Sequence, residues 1–437
     1  MNRLVIKGGR LIDPSVNVDG LFNIYIMGGR VGTIKPADRD TTELVEGAPG
    51  LEVIDATGLV VLPGFIDAHT HLREPGFEYK ETIKTGTMAA SSGGFTSVLC
   101  MANTNPVNDN ASVTRYILDK AKAEGTASVH PIGAVTVGQQ GERLTEFGEL
   151  KAAGCVAFSD DGVPITDGAV MRRALEYSMI FGAPVVSHAE DPRLAGAGVM
   201  NEGAVSTRLG LKGIPNAAED AMVARDLSLA ELTGGRLHIA HVSTRGAVEL
   251  IRSAKARGVN VTAEVTPHHL TLTDEAVSGY DTFTKMNPPL RAQEDVDALR
   301  GGLKDGTIDC IATDHAPQST IEKDVEFDKA ANGIVGLETA FSLAYGLVEE
   351  RILTLNEIIR ALTINPSKAF LLNKGSLRVG SQADIAIIDL NRTWKVDPSR
   401  LKSKSKNTPY GGRTLKGVVI KTVVNGSVVY DATKENS

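Results

Sequence analysis

Aromatic residues are scarce in this chain of 437 residues, at 5% with a single Trp, which is low for a soluble globular protein. Cysteine is scarcer still: Cys100, Cys155 and Cys310 each sit inside a short apolar segment. Three scattered cysteines exclude a disulfide framework and read as buried free thiols, the pattern of a reducing cytoplasm. No run approaches the roughly 18 apolar residues of a membrane span, and "MNRLVIKGG" enters alternating strand-like residues without the apolar core of a signal peptide. Positive charge is also short. A net charge of -7 with no large basic block argues against nucleic acid or an anionic membrane as partner, since both need a basic surface. The one lysine-rich stretch, "LKSKSK" at 401–406, reads as a solvated loop.

What is present is ordinary in bulk, with 42% hydrophobic and 23% charged residues, but rich in glycine, at 45, which signals many tight turns. The length suits one barrel of about 250 residues or more with a smaller companion. Residues 1–62 read as short strands with turns, in "RLVIKGGRLID", "FNIYIMGGRVGTI" and "LEVIDATGLVVLPG". Residues 375–437 have the same texture, in "ADIAIIDL" and "GVVIKTVVNGSVVYD". Two β-rich ends around a different middle predict one small β domain assembled from both termini.

The middle, 63–374, alternates apolar runs with helical segments. The runs are 63–71, 95–104, 127–136, 155–162, 183–191, 236–243, 260–269 and 308–316, which makes eight. Helical stretches such as "DNASVTRYILDKAKAEG", "DGAVMRRALEYSMIFG" and "TRGAVELIRSAKARG" open on a cap candidate and close on glycine. Eight such alternations predict an α/β fold, a (β/α)8 barrel.

Barrel enzymes work at the C-terminal ends of their strands, and the polar residues here collect there: His69 and His71 in the first run, Asn103 in the second, Asp160 and Asp161 in the fourth, His188, His241 and Asp314 later. Two histidines two apart on a strand project from one face, and convergent imidazoles suit a transition metal such as Zn2+. Further histidines and a carboxylate at the same rim supply enough ligands for two ions if one oxygen bridges them. Only one of Asp160 and Asp161 should point inward, because they alternate. A metal-bound water is acidified toward neutrality and attacks a carbonyl, and a neighbouring carboxylate, for which Asp314 is the candidate, moves the proton to a leaving nitrogen. The chemistry expected is metal-assisted hydrolysis of a carbon-nitrogen bond, or its reverse. The remaining histidines take blander readings: His130 is structural, His238 faces the helical layer, His268 and His269 support from behind, and His315 braces the loop after Asp314.

"GFIDAHTHLREPG", "MANTNP", "FSDDG", "SHAED", "HIAHVST", "EVTPHHL", "KMNPPLR" and "TDHAP", in this order, closely resemble the class I bacterial dihydroorotases of the amidohydrolase superfamily, across essentially the whole chain. The resemblance implies a (β/α)8 barrel of the amidohydrolase type with a small β-sandwich domain, and reversible cyclisation of N-carbamoyl-L-aspartate to L-dihydroorotate in de novo pyrimidine synthesis. It implies one or two Zn2+ ions on His69, His71, Asp161, His188, His241 and Asp314, with Asp314 also the proton shuttle. Many superfamily relatives bridge their metals with a carboxylated lysine from the fourth strand, whereas class I dihydroorotases place an aspartate there, as Asp161 does. Substrate contacts are implied for His71, Arg73, Asn103, Asn287, Asn332 and Gly333. The family's Asp-His-Ala-Pro-His is broken here by Gln318, which keeps hydrogen-bonding groups but cannot become cationic, so a weaker grip on a carboxylate is expected. Asn332 likewise replaces a common phenylalanine. As partners, the resemblance admits a homo-oligomer and a complex with aspartate carbamoyltransferase. Two other readings remain open: a hydantoinase-like or allantoinase-like cyclic-amide hydrolase, against which the missing lysine counts, and a non-catalytic scaffold for the carbamoyltransferase, against which the intact ligand set counts.

Overall fold

A computed structural model of the chain describes residues 3–38 and 51–434; the parts of the β-rich ends at 1–2, 39–50 and 435–437 lie outside these. Eight parallel strands form the central sheet: β1 (Phe65–Thr70), β2 (Phe95–Cys100), β3 (Ser128–Gly133), β4 (Ala157–Ser159), β5 (Val185–Ser187), β6 (Leu237–Ile239), β7 (Val261–Val265) and β8 (Cys310–Ile311). Neighbours pair in chain order. The ring closes where Thr70 bridges His315 and the His71 N–H donates to the His315 carbonyl at 2.8 Å. All eight apolar runs therefore become barrel strands. They are shorter than the runs because the polar ends leave the ladder as loops.

The helices start where the sequence offers caps. Asn110 accepts from the N–H groups of Ser112 and Val113 ahead of Ala111–Glu124, and Asp167 does the same for Gly168–Ser178. Thr244 accepts from Ala247 N–H ahead of Arg245–Ala256. Each side chain satisfies backbone donors that the first helical turn leaves unpaired.

Alternation along the strands sorts two cores. Val185, Leu237, Ile239, Val261 and Ile311 pack outward beneath the helices, whereas Ile66, Leu99, Ile132, Val186, Ala240 and Cys310 fill the barrel, with Phe370 among them. His238 has the parity of Ala240 and lies 4.8 Å from the Phe370 ring. It therefore faces the barrel interior, not the helical layer expected from its spacing to His241.

Strands from the two ends of the chain form one further eight-stranded sheet, ordered Ser427–Asp431, Thr414–Val424, Ile385–Lys395, Val60–Pro63, Arg3–Asp13, Val18–Met27 and Arg30–Pro36, with Leu51–Asp55 paired to Arg3–Asp13. The sheet curls on itself, since a Cβ on Gly29 would lie 2.9 Å from the carbonyl of Asn425 at its other end. Its own core joins Leu4, Ile6, Ile24 and Val31 from one terminus to Ile385, Ile387 and Val423 from the other. The second face rests on the barrel, where Gly417 closes on the rings of Phe341 and Tyr345.

The stretch 401–406, expected as a solvated loop, is instead part of a segment, 401–410, that is tucked against the barrel. Ser403 is wholly buried, and Leu401, Ser405 and Asn407 are nearly so. The lysines explain the misreading: their alternation hid the inward-facing residues between them.

Candidate active site

At the C-terminal mouth of the barrel, two side-chain triads share one carboxylate: His69, His71 and Asp161, and Asp161, His188 and His241. Asp161 Oδ2 lies 3.3 Å from His69 Nε2 and 3.5 Å from His71 Nε2. Its other oxygen lies 3.5 Å from His188 Nδ1 and 3.3 Å from His241 Nε2. Asp314 Oδ1 completes the first group, 3.1 Å from His71 Nε2 and 3.6 Å from His69 Nε2. All six side chains are buried.

The backbone is bent to bring them together. Arg73, His241 and Asp314 adopt φ of 63°, 32° and 46°, a region that side-chain-bearing residues rarely enter and that concentrates at functional sites. The turn at His241 explains how it and His238, three apart, both address the barrel axis. At β1 the ladder slips between Asp67 and Thr70, and Asp67 Oδ1 accepts the His69 N–H at 3.1 Å, so the His69 and His71 rings sit 5.3 Å apart. Of the paired aspartates, Asp161 enters the site. Asp160 instead accepts from the N–H groups of Val135 and Thr136 and from the Thr136 hydroxyl, bracing the loop after β3.

Burial resists ionisation of Asp314, but the His69 charge and the adjoining His71 hold its carboxyl far below the usual carboxylate range. Asp161 is held down in the same way by His69, His188 and His241. Burial likewise opposes a charge on His69, yet Asp161, Glu264 and Asp314 around it raise its pKa well above the ordinary value.

Glu264, in the middle of β7, was not singled out by sequence reasoning. Its carboxylate accepts from His69 Nδ1 at 2.7 Å and from His238 Nε2 at 3.1 Å. Burial works against its charge, but His69 and His238 bring its pKa down to about 2. An ionised carboxylate only accepts, so Nδ1 keeps its proton, and Nε2, which faces Asp161 and Asp314, is the nitrogen that would give up its proton to coordinate a metal. A carboxylate inside a predicted barrel strand, in "NVTAEV", was the signal available. Glu81 is a second such residue; it takes a hydrogen bond from His315 Nε2 at 3.3 Å, so His315 braces its loop.

The donor set fits a pair of cations. His69 Nε2 is buried without a hydrogen-bond partner among the described residues, and His188 Nδ1 and His241 Nε2 approach to 2.8 Å with Asp161 beside both. Nitrogen and oxygen donors converging at this spacing, each held by a partner behind it, are what borderline metals such as Zn2+ select.

Beside this cluster lies a cavity of about 180 Å³. It is lined by His71, Arg73, Asn103, Asp161, His188, His241, Asn287, Asp314, Gln318, Asn332 and Gly333. Every metal or substrate residue implied by the resemblance is thus at the cavity wall except His69, which lies fully beneath it. Asn103 Oδ1 accepts from His71 Nδ1 at 2.9 Å, and Asn287 Nδ2 lies 3.5 Å from His188 Nε2. Arg73 is anchored by its Nε donating to the Pro317 carbonyl at 3.2 Å. Gln318 has both amide ends engaged: Oε1 accepts from Lys80 Nζ at 2.8 Å, and Nε2 donates to the Asn332 carbonyl at 2.7 Å.

A closed parallel barrel with a side-domain sheet and a shared-carboxylate His/Asp cluster at its mouth defines a hydrolase of the amidohydrolase type. Comparison with known proteins narrows this. A family model described as Dihydro-orotase-like matches residues 58–247. Dihydroorotase from Anaeromyxobacter sp. (strain K) is 57% identical over 433 residues, covering 99% of this chain and 98% of its own. That from Geobacter metallireducens is 57% identical over 427 residues, covering 98% and 99%, and that from Syntrophus aciditrophicus is 53% identical over 428 residues, with the same coverage. Among solved structures, the L-hydantoinase (dihydropyrimidinase) of Arthrobacter aurescens superposes with a TM-score of 0.87 at 25% identity, covering 99% of this chain and 96% of its own. The D-hydantoinase (dihydropyrimidinase) of Thermus sp. gives 0.83 at 26%, covering 98% and 95%. The chain belongs to the dihydroorotase family.

Proposed function

We propose that the protein is a zinc-dependent class I dihydroorotase that reversibly cyclises N-carbamoyl-L-aspartate to L-dihydroorotate, in the cytoplasm, as a step of de novo pyrimidine synthesis. The observation that carries this reading is Asp161, one oxygen toward each histidine pair, in a chain 57% identical to dihydroorotases over its full length. Identity to the hydantoinases is less than half of that.

His69, His71, Asp161, His188, His241 and Asp314 would hold one or two Zn2+ ions. When bound, zinc supplies Lewis acidity that polarises a carbonyl and lowers the pKa of water toward neutrality. The protein's own groups do the rest. Asp314, facing the cavity, takes a proton from the water that attacks the ring amide and returns it to the departing nitrogen; in the cyclising direction the transfers reverse. Arg73 offers a planar fork to a substrate carboxylate, with Asn103 and Asn287 as amide partners at either side. The carbonyls of Asn332 and Gly333, which already accept from Gln318 and Asn407, keep a second lone pair each for the ring. Gln318, already committed to Lys80 and Asn332, acts by holding these two in place and adds no cationic charge of its own. Glu264 orients His69 so that its Nε2 faces the metal position.

The test is turnover of carbamoyl-aspartate and of dihydroorotate by zinc-loaded protein, alone and with an aspartate carbamoyltransferase, alongside hydantoin. We expect conversion in both directions and little hydantoin hydrolysis. A metal-loaded protein inert toward both substrates under either condition would overturn the reading, and a preference for hydantoin would transfer it to the hydantoinases.

A further inference from the structure

Two loops that wall the cavity are tied together from behind by one residue of the C-terminal β unit. Asn407 is 2% exposed and does not reach the cavity. Its Oδ1 accepts the Gln318 N–H at 3.1 Å, and its Nδ2 donates to the carbonyls of Ala316 at 3.1 Å and Gly333 at 3.0 Å. Its own carbonyl accepts the Val335 N–H at 3.0 Å. The side chain thus uses one acceptor and two donors on three backbone groups, all within the loop after β8 or the loop at 332–335. Those loops carry Ala316, Gln318, Asn332 and Gly333 of the cavity wall.

The loops approach so closely that a Cβ on Gly333, whose φ is 114°, would lie 2.6 Å from that of Ala316. The loops also meet directly, through the Ala316 N–H donating to the Ile334 carbonyl at 2.8 Å and Gln318 Nε2 to the Asn332 carbonyl at 2.7 Å, and Asn407 adds three bonds from behind that fix their spacing at the cavity wall. A second leg of the same strap reaches the other side of the β8 loop. Ser403 Oγ and Lys404 N–H both donate to Glu81, the carboxylate that also holds His315. Residues 403 to 407 therefore grip the β8 loop on both flanks of Ala316.

We propose that Asn407 is a positioning residue for substrate binding, setting the distance between the Gln318 loop and the Asn332–Gly333 loop so that both address one ligand. The kinetic part of the inference rests on the dihydroorotase reading; the structural part does not. Loss of the side chain strands two buried carbonyls and one N–H, which costs more than the bonds themselves contributed, and the loops shift against each other about their remaining direct bonds. Binding suffers, while Asp314 and the histidines, held by other partners, keep their geometry.

The experiment compares wild type, Asn407→Ala and Asn407→Asp. In Asn407→Ala the KM for dihydroorotate should rise roughly tenfold or more with kcat within about threefold, the signature of lost uniform binding. By hydrogen exchange, the Gln318 amide should exchange at least about tenfold faster. Asn407→Asp keeps the acceptor for Gln318 N–H but turns an oxygen toward two carbonyls, so its KM should rise while the Gln318 amide stays protected; it also serves if the alanine variant does not fold. A KM within about twofold of wild type in the folded variants, with only the melting temperature lowered, overturns the proposal. Wild type inert toward dihydroorotate would instead sink the dihydroorotase reading, and amide exchange alone then decides whether Asn407 sets the loops: unchanged protection of Gln318 in Asn407→Ala refutes it.

Discussion

Asp314 illustrates how a single side chain acquires a role from its surroundings. Its sequence neighbours say only that an apolar strand ends; the structure adds that it stands 3.1 Å from His71 Nε2 in a buried site, with its carboxyl held far below the usual carboxylate range. Asp314→Asn keeps the shape and removes the basic oxygen. We expect kcat to fall by roughly 10²–10⁴-fold when measured with saturating zinc; near-normal turnover would remove Asp314 from proton transfer. Most of this site was legible in the sequence because each ligand follows an apolar run directly. Glu264 was not, because its importance lies in contacts with His69 and His238, 195 and 26 residues away.

Among elements, the 401–410 strap shows most clearly how a surface-like composition can conceal a buried path. Glu338 anchors its start, accepting from the N–H groups of Lys402 and Ser403 at 2.8 and 3.1 Å. Burial, against these bonds, pushes the Glu338 carboxyl up to about 7. A carboxyl whose folded pKa lies above its unfolded value binds its proton more tightly when folded. Its contribution to stability is therefore full below about pH 4.5 and is lost as pH rises through about 7. Glu338→Gln, which cannot ionise, should lose less stability than wild type over that window. Denaturant melts at several pH values check this; parallel curves for the two proteins would show that Glu338 stays charged throughout.

For the whole molecule, the metal positions draw on β1, β4, β5, β6 and the loop after β8, so bound zinc would link distant parts of the barrel to one another. Ligand that binds only the folded state stabilises it by about 2.7 kcal/mol at a hundredfold excess over Kd. Chelation should accordingly lower the melting temperature, and zinc should restore it, with release of protons on uptake because His69 must lose its charge to coordinate. A melting temperature indifferent to chelator in a protein shown to have lost its metal would contradict this.

The sequence by itself determined the eight β-α alternations, the helix caps at Asn110, Asp167 and Thr244, and which polar residues stand at the barrel mouth. These are local patterns, written in spacings of two to four residues, and they survive in any context that buries the apolar face. Only the tertiary structure decided that His238 and His241 both turn inward, that Glu264 reaches both His69 and His238, that Gln318 is already bound to Lys80 and Asn332, and that a lysine-rich stretch near the end of the chain ties two loops of the cavity wall. The physical reason is common to all four: left-handed turns such as His241, and hydrogen bonds spanning tens to hundreds of residues, are fixed by closure of the barrel and docking of the β unit, and neither leaves a periodic trace in the chain.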